Sequence, residues 1–203
     1  MKILPGLQIP LTGPGPKLLQ ILNATRYGLS TDGEIWECGV FQGSAARWIA
    51  FQMSEYMEDV SKTLRLFDTF KGRPEKGRYD TGSNTHFDNT TLELVQRHVP
   101  WNFVKFHQGV IPETFVGLED CKISFAHLDM DLYQSTVDAL DFILPRLVEN
   151  GLIIVDDYDT PEWPGVKIAI EDLLDQSKGY SYRSRLVNTC MIGHKGTVEK
   201  IWT

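Results

Sequence analysis

Short apolar runs alternate with segments of helical periodicity along most of the chain. Runs rich in β-branched and aromatic residues predict five strands, at residues 34–40, 63–70, 102–109, 123–130 and 151–157. Apolar residues at helical spacing predict helices at residues 16–28, 44–57, 90–99, 135–147 and 165–177. The chain after residue 179 is typical of two last strands, paired antiparallel. Because helices and strands alternate, the pattern predicts an α/β fold with a mostly parallel, seven-stranded sheet and helices on both faces.

Length and composition are those of a single soluble domain. The 203 residues are 42% hydrophobic and 23% charged, and no apolar run reaches the roughly 18–20 residues of a membrane span. The formal charge of −7 argues against a nucleic-acid partner. Three distant cysteines without a C-x-x-C pair, and a start that lacks a secretory signal, predict a cytoplasmic location. We expect residues 1–33 to form an arm and a helix, and residues 34–203 to form the domain.

Polar residues follow the first two predicted strands. In parallel sheets, ligands bind beyond the carboxyl ends of the strands, where the strand order reverses. The stretch "ECGVFQGS" places Glu37, Gly39, Gly43 and Ser44 between a strand and a helix, with Ser44 as a candidate N-cap. It lacks the G-x-G-x-x-G spacing of a dinucleotide site, and a purely structural turn stays an alternative. Asp68 ends the second strand, where an acid often holds ribose hydroxyls, although lone acids at strand ends are common.

Together these two strand ends favour a nucleoside ligand whose other end carries amino-acid charges rather than a diphosphate. S-adenosylmethionine matches that description.

Carboxylates also follow the fourth and fifth strands, in "HLDMDLYQS" and "IIVDDYD". Residues two apart on an extended segment point to the same side, so Asp129 and Asp131 are expected to face the site together, with Met130 as a spacer. Four converging carboxylates repel one another strongly unless a cation lies among them, which favours a metal site. An acid here that merely caps the next turn is the structural alternative. His127 lies deeper in the strand and is expected to be a buried supporting residue rather than a base.

The segments "EIWECGVFQGSAA", "LFDTFKGRPE", "HLDMDLYQSTVDALDFILPRL" and "GLIIVDDYDTPEWPGVKIAIEDLL" together carry a family resemblance. Over roughly residues 30–175 the chain resembles the macrocin O-methyltransferase-like (TylF/NovP-type) class I methyltransferases, which act on sugar hydroxyls of antibiotics. The resemblance implies a single-domain Rossmann-like class I methyltransferase fold that uses S-adenosylmethionine and Mg²⁺. It implies that the metal ligands are Asp129, Asp156 and Asp157, and that Asp131 is the general base. The cofactor contacts that we expect are Glu37, Gly39, Val40, Gly43, Ser44, Asp68, Thr69 and Phe70. After the third strand, where the chain departs from the family because no clear acidic residue follows, Gln108 and Gly109 are expected to contact the cofactor instead.

The expected function is therefore Mg²⁺-dependent O-methylation of a hydroxyl on a sugar or sugar-bearing small molecule. A catechol-like phenol as acceptor and a non-catalytic S-adenosylmethionine-binding protein are the alternatives. No nucleic acid or membrane is expected as a partner, and a homo-oligomer is compatible with the sequence.

The arm before the first strand looks shorter than in the family members that methylate antibiotic sugars. Those members use this region to cover the substrate. The basic residues of the 71–89 loop would attract an anionic substrate or, as we favour, belong to a solvated, mobile lid: Lys71, Arg73, Lys76 and Arg78.

Overall fold

The computed structural model describes residues 15–56, 61–174, 179–183 and 188–198. The strands in these ranges are β1 Glu34–Cys38, β2 Leu64–Asp68, β3 Val104–Gln108, β4 Ile123–Leu128, β5 Leu147–Asp156, β6 Tyr180–Arg183 and β7 Thr189–His194. The α-helices are α1 Gly15–Leu29, α2 Ser44–Tyr56, α3 Leu92–His98, α4 Tyr133–Ile143 and α5 Pro164–Leu174. None of the helices in the described ranges has the length and apolar character that a membrane span requires.

The strands form one sheet in the order β3-β2-β1-β4-β5-β7-β6. The first five in that order pair in parallel, whereas β7 runs antiparallel to both β5 and β6. The predicted seven-stranded, mostly parallel sheet with an antiparallel end is therefore confirmed. The chain leaves β1 toward β2 on one side and later returns to β4 on the other side. The strand order thus reverses between β1 and β4, which is where a ligand crevice is expected.

Both faces of the sheet are buried. Along β5, Leu152 and Ile154 pack with residues of α1 and α2, while Ile153 and Val155 pack with residues of α4 and α5. Successive side chains of a strand point to opposite faces, so a continuous apolar run is what a strand covered on both sides requires. This explains why the apolar run that begins at residue 152 predicted a central strand correctly.

The connection between α4 and β5 differs from the prediction of a helix over residues 135–147. The helix begins at Tyr133 and ends at Ile143, and a short 3₁₀ turn leads into the strand at Leu147, which pairs with Ile123. Pro145 explains the early end, because proline has no N–H to continue the α-helical hydrogen bonds. The fifth strand therefore starts four residues before the predicted residue 151.

The predicted division between an arm at residues 1–33 and a domain at residues 34–203 stays a prediction. Residues 1–14 lie outside the described ranges. The helix α1 packs against α2 and β4, so the described part of the predicted arm belongs to the core.

The 71–89 loop has no helix or strand, as predicted, and it is anchored to the domain by Asp80. The Asp80 side chain is buried; its Oδ1 accepts a hydrogen bond from the Tyr133 N–H (2.9 Å), and its Oδ2 accepts one from the Gly77 N–H (2.9 Å). Asp80 therefore caps the N-terminus of α4 from a distant part of the chain. The Ser83 N–H also donates to the Glu162 carbonyl oxygen (2.9 Å), which ties the loop to the segment before α5.

The basic side chains of this loop fit the expectation of a solvated lid only in part. Lys71 is exposed, but the Lys76 ammonium donates to the carbonyl oxygens of Gly82 and Ser83. The Arg73 guanidinium lies 4.9 Å from the ring centre of Trp163. The Arg78 guanidinium lies 4.3 Å from the ring centre of the adjacent Tyr79. Three of the four basic residues therefore contact other groups of the protein.

Replacing Asp80 with alanine should loosen the loop. We expect Asp80→Ala to lower the free energy of unfolding by about 1–2 kcal/mol, because one helix cap and one loop hydrogen bond are lost. Trypsin should also cleave after Lys76 and Arg78 faster than in the wild type. Urea unfolding and limited proteolysis measure the two effects. Asp88→Ala is the control, since Asp88 is an exposed acid of the same loop; equal proteolysis of both variants would contradict the anchoring role.

Gly28 tests the packing of α1 on the sheet. A Cβ atom at this position would lie 2.6 Å from the Phe125 Cβ of β4. Alanine normally favours a helix over glycine by up to about 1 kcal/mol, but here the contact should outweigh that gain. We expect Gly28→Ala to destabilise the protein by about 1–3 kcal/mol in urea unfolding. Asn23→Ala, at an exposed position of the same helix, should be neutral or slightly stabilising; a stabilised Gly28→Ala would refute the close packing.

Candidate functional site

A pocket of about 450 Å³ lies at the carboxyl ends of the central strands. It opens where β1 and β4 adjoin, as the reversal of strand order predicts. Its walls come from the start of α1, the β1–α2 loop, the 71–89 loop and the exits of β2, β3, β4 and β5. The predicted site residues that line it are Glu37, Gly39, Val40, Ser44, Asp68, Thr69, Gly109, Asp129, Asp131 and Asp156. Gly43, Phe70, Gln108 and Asp157 are predicted site residues that do not belong to its lining.

Gly39 brings the ends of β1 and β4 together. Its φ of 84° is in the left-handed region, and a Cβ atom there would lie 2.0 Å from the Asp129 carbonyl oxygen. The Asp129 N–H donates to the Cys38 carbonyl oxygen at 2.8 Å across the same contact. Only glycine fits this approach, so Gly39 fixes the position of the first acid after β4.

Gly43 has a packing role at the start of α2, and its predicted contact with the cofactor stays a prediction. A Cβ atom on Gly43 would lie 3.0 Å from the Val95 side chain of α3. The Gly43 carbonyl oxygen accepts the first hydrogen bond of α2, from the Arg47 N–H (2.9 Å). Gly43 is therefore the N-cap, and Ser44 is the first helical residue instead of the N-cap that the sequence suggested.

Asp68 connects the exits of β1 and β2. Its Oδ2 accepts hydrogen bonds from the N–H groups of Val40 (2.7 Å) and Phe41 (2.9 Å), and its Oδ1 accepts one from the Phe70 N–H (2.7 Å). The carboxylate thus fixes both loops while it also lines the pocket. These backbone donors already occupy much of the acceptor capacity of the Asp68 carboxylate. The predicted contact of Asp68 with ribose hydroxyls stays a prediction.

The β3 exit contributes backbone rather than a polar side chain. Gly109, with a φ of 152°, lines the pocket beside Val110 and Ile111. The Gln108 side chain is exposed and its Nε2 donates to the Thr69 carbonyl oxygen (3.3 Å). Phe70 is 2% exposed and packs in the core. Neither residue lines the pocket, and the roles predicted for Gln108 and Phe70 as cofactor contacts stay predictions.

The carboxylates after β4 and β5 converge as predicted, in two overlapping groups that share Asp129. Ligand atoms of His127, Asp129 and Asp156 lie within 4.8 Å of one another, and so do those of Asp129, Asp131 and Asp157. The predicted metal ligands Asp156 and Asp157 thus fall in different groups. Asp131, the predicted base, lies among atoms that are able to bind a metal.

The local backbone that aims Asp131 differs from the extended segment that we expected. β4 ends at Leu128, and Asp131 has a φ of 65°, in the left-handed region. Asp157, the first residue after β5, has a φ of 61°. Such a conformation at a non-glycine residue costs on the order of 1 kcal/mol or more, and it is often found at functional sites. Met130 itself lines the pocket, so it is more than the spacer predicted from the sequence.

His127 lies on β4, and its imidazole contacts two carboxylates. It is 1% exposed, its Nδ1 lies 3.2 Å from the Glu37 Oε1, and its Nε2 lies 2.9 Å from the Asp156 Oδ2. Burial opposes the charged imidazolium, but the two carboxylates outweigh burial and raise the pKa of His127 to about 10. This agrees with the expectation of a buried supporting histidine.

The charges in the cluster are only partly balanced. Burial, followed by the charge of Asp156, raises the pKa of Asp129 well above its usual range. Burial and then the neighbouring Asp157 raise the pKa of Asp131 to about 8. Although burial acts against it, the charges of His127 and Lys17 lower the pKa of Asp156. These shifts show that the acids compete for positive charge.

Among the described residues, two buried carboxylate oxygens of residues that line the pocket have no hydrogen-bond partner: the Glu37 Oε2 and the Asp156 Oδ1. A buried acceptor without a partner costs free energy, about 1–3 kcal/mol for a neutral group and more for a charged one. The arrangement is therefore suited to a ligand that supplies donors or positive charge at these atoms.

Lys17 is the site residue that the sequence did not reveal. Its Nζ lies 2.7 Å from the Asp156 Oδ2 and 3.7 Å from the Asp129 Oδ2. Burial opposes its charge, but Asp129 and Asp156 outweigh burial and raise the pKa of Lys17. The only hint in the sequence is that a lysine in the first turn of a helix is unfavourable for the helix dipole, so it needs nearby acids.

Comparison with known proteins identifies the family. The macrocin-O-methyltransferase (TylF) family model matches residues 18–181. A tetracenomycin-C 4'-O-methyltransferase of Streptomyces olivaceus, named for a dimethoxy-rhamnosyl substrate, is 30% identical over 139 residues, which are 62% of this chain and 53% of that protein. Demethyldecarbamoylnovobiocin O-methyltransferase of Streptomyces niveus is 29% identical over 145 residues, 64% of this chain and 55% of that protein. The chain spans about half the length of the curated relatives it matches.

Solved structures show the same fold. The calicheamicin methyltransferase CalS11 superposes with a TM-score of 0.75 at 23% identity, covering 89% of this chain and 79% of that one. The O-methyltransferase NovP superposes with a TM-score of 0.73 at 21% identity, covering 88% of this chain and 79% of that one. The fold is thus the Rossmann-like fold of class I O-methyltransferases, as expected. Since the family model covers most of the sequence, the chain belongs to the macrocin-O-methyltransferase (TylF) family.

Proposed function

We propose that the protein is an S-adenosylmethionine-dependent O-methyltransferase that methylates a hydroxyl of a sugar or sugar-bearing small molecule with the help of Mg²⁺. The observation that carries this proposal is that one pocket contains both halves of the required site. The exits of β1, β2 and β3 line one part of it, and the carboxylates after β4 and β5 line the other. The methyl donor and the acceptor hydroxyl would meet between these two parts.

The first half suits a cofactor with a nucleoside and an amino-acid end. Gly39 and Gly109 expose backbone there without side chains, and Asp68 and Glu37 supply carboxylates. The unpartnered Glu37 Oε2 is suited to accept a hydrogen bond from an ammonium group. S-adenosylmethionine has such a group, and when bound it would supply the electrophilic methyl group.

The second half suits Mg²⁺, which prefers carboxylate oxygens, substrate oxygens and water as ligands. We assign Asp129, Asp156 and Asp157 as its ligands; the unpartnered Asp156 Oδ1 supports this assignment. A divalent cation held by these residues would act as a Lewis acid that lowers the pKa of the acceptor hydroxyl and orients it.

Asp131 is proposed to accept the proton of the hydroxyl. Its carboxylate lies beside Asp129 and Asp157 on the wall of the pocket. A base whose pKa is raised toward neutrality accepts a proton more readily than an ordinary carboxylate, whereas a nearby divalent cation favours its ionised form. The left-handed backbone at Asp131, which is costly for a non-glycine residue, supports a functional role for this residue.

The sugar acceptor is proposed from the relatives, since the name of the Streptomyces olivaceus enzyme includes a rhamnosyl group. The assay that tests the function measures methyl transfer from S-adenosylmethionine to a panel of deoxysugar glycosides and catechols, with Mg²⁺ or with EDTA. Transfer to a glycoside that EDTA abolishes would support the proposal. Transfer only to catechols would refute the sugar acceptor, and cofactor binding without transfer to any acceptor would count against catalysis. The cytoplasmic location and any homo-oligomer stay predictions from the sequence.

The role of Asp131 is tested by Asp131→Asn. We expect turnover to fall at least about 100-fold, because general-base help of this size is lost. Calorimetry should show nearly unchanged affinities for S-adenosylmethionine and for Mg²⁺. A large loss of Mg²⁺ affinity would show instead that Asp131 is a metal ligand. Retained turnover would exclude it as the base.

The role of Asp156 is tested by Asp156→Asn, with Asp159→Asn as the matched control. Asp159 also lies in the β5–α5 segment, but its side chain is 65% exposed. We expect the Asp156 variant to lose both the response of turnover to Mg²⁺ and the heat of Mg²⁺ binding, because a ligand is removed. The control should retain both. If both variants behave like the wild type, Asp156 does not bind the metal.

A further inference from the structure

The acidic cluster already contains a cationic side chain of this protein. The Lys17 ammonium lies between two of the acids, 2.7 Å from the Asp156 Oδ2 and 3.7 Å from the Asp129 Oδ2. The Asp156 side chain is fully buried, whereas that of Lys17 is 35% exposed. The ammonium thus reaches from the pocket mouth into the cluster and neutralises part of its charge.

The hydrogen bonds of Asp156 are distributed unequally. Its Oδ2 lies close to both the Lys17 Nζ and the His127 Nε2, at 2.7 Å and 2.9 Å. Its Oδ1 is buried and has no hydrogen-bond partner in the part of the chain that the structure describes. A divalent cation bound by Asp129 and Asp156 would lie within a few ångströms of the Lys17 ammonium. At such a distance the positive charges of the ammonium and of the divalent cation would repel each other.

We propose that Lys17 is the resident counter-ion of the acidic cluster, and that a divalent cation binds there by displacing its ammonium group. No covalent bond changes in this exchange. The ammonium keeps its proton and moves toward solvent, and the carboxylates bind the metal in its place. The inference rests on the metal site of the proposed function, but it assigns a new role to a residue of α1.

Displacement of Lys17 would also change the wall of the pocket. Lys17 lies in the first turn of α1, and Gly15, Leu18 and Ile21 of the same helix line the pocket. With no acidic residue in that first turn, the lysine lies where the positive end of the helix dipole repels it. Asp129 and Asp156 therefore hold the start of α1 against the site, and metal binding would release it.

The affinity for Mg²⁺ alone, measured by calorimetry without cofactor or substrate, tests the exchange. We expect Lys17→Gln to bind Mg²⁺ at least about tenfold more tightly than the wild type, because a competing charge is removed. Lys17→Arg keeps the charge and should bind no more tightly than the wild type. Lys167→Gln is the matched control, since Lys167 forms another 2.7 Å pair with an aspartate, Asp159, outside the pocket lining. Its affinity should equal that of the wild type.

Hydrogen exchange gives a second readout. Addition of Mg²⁺ should speed exchange of the amides in the first turns of α1 in the wild type, and it should have little effect there in Lys17→Gln, where that contact is already lost. Unchanged or weaker Mg²⁺ binding by Lys17→Gln would overturn the exchange while leaving the metal site intact. Tighter binding by Lys17→Arg would overturn it as well, because the charge is retained there. If neither the wild type nor Lys17→Gln binds Mg²⁺, both the exchange and the metal part of the proposed function fail.

Discussion

The mutual repulsion of buried and half-buried carboxylates is the constraint on which the site depends. Asp129, Asp131, Asp156 and Asp157 meet at the ends of two adjacent strands, where burial weakens the hydration of their charges. The protein offsets this with the His127 imidazole and the Lys17 ammonium, and both contact the same oxygen of Asp156. The other oxygen of Asp156 has no hydrogen-bond partner within the described ranges. A fold selected for stability alone would not retain such a cluster, since a buried acceptor without a partner is costly.

The scaffold holds the acids together through contacts that look purely structural. The close approach at Gly39 joins the exits of β1 and β4 and so fixes Asp129. Asp68 joins the exits of β1 and β2 through backbone hydrogen bonds. Asp80 secures the 71–89 loop to the start of α4, which follows Asp131 directly. Each contact joins two segments that are far apart in sequence, so the pocket depends on the packed sheet rather than on any single motif.

Most of the fold follows from the sequence because its signals are local and periodic. The apolar run of β5 and the alternation of strands with helices predicted a parallel sheet, and the rule for strand ends predicted where the acids would meet. The positions that escaped prediction depend on tertiary contacts. Lys17 reaches the cluster only because α1 packs on α2 and β4, and no local pattern encodes that contact. The left-handed backbone at Asp131 and the occupied acceptors of Asp68 likewise arise from neighbouring loops.

The same imbalance of charge that costs stability would favour the binding of cations. A cation that enters the cluster interacts with several carboxylates, so the Lys17 ammonium and the divalent ion that we propose would compete for the same acids. A monovalent side chain is a weaker partner than a divalent ion, but it is always present at high effective concentration because it is part of the chain. Lys17 thereby stabilises the acidic cluster in the folded protein before a metal binds. Because Lys17 lies on α1, a cation that replaces it at the acids would also change the pocket wall against which the acceptor would lie. The charge cluster and the helix α1 are for this reason best understood as one unit.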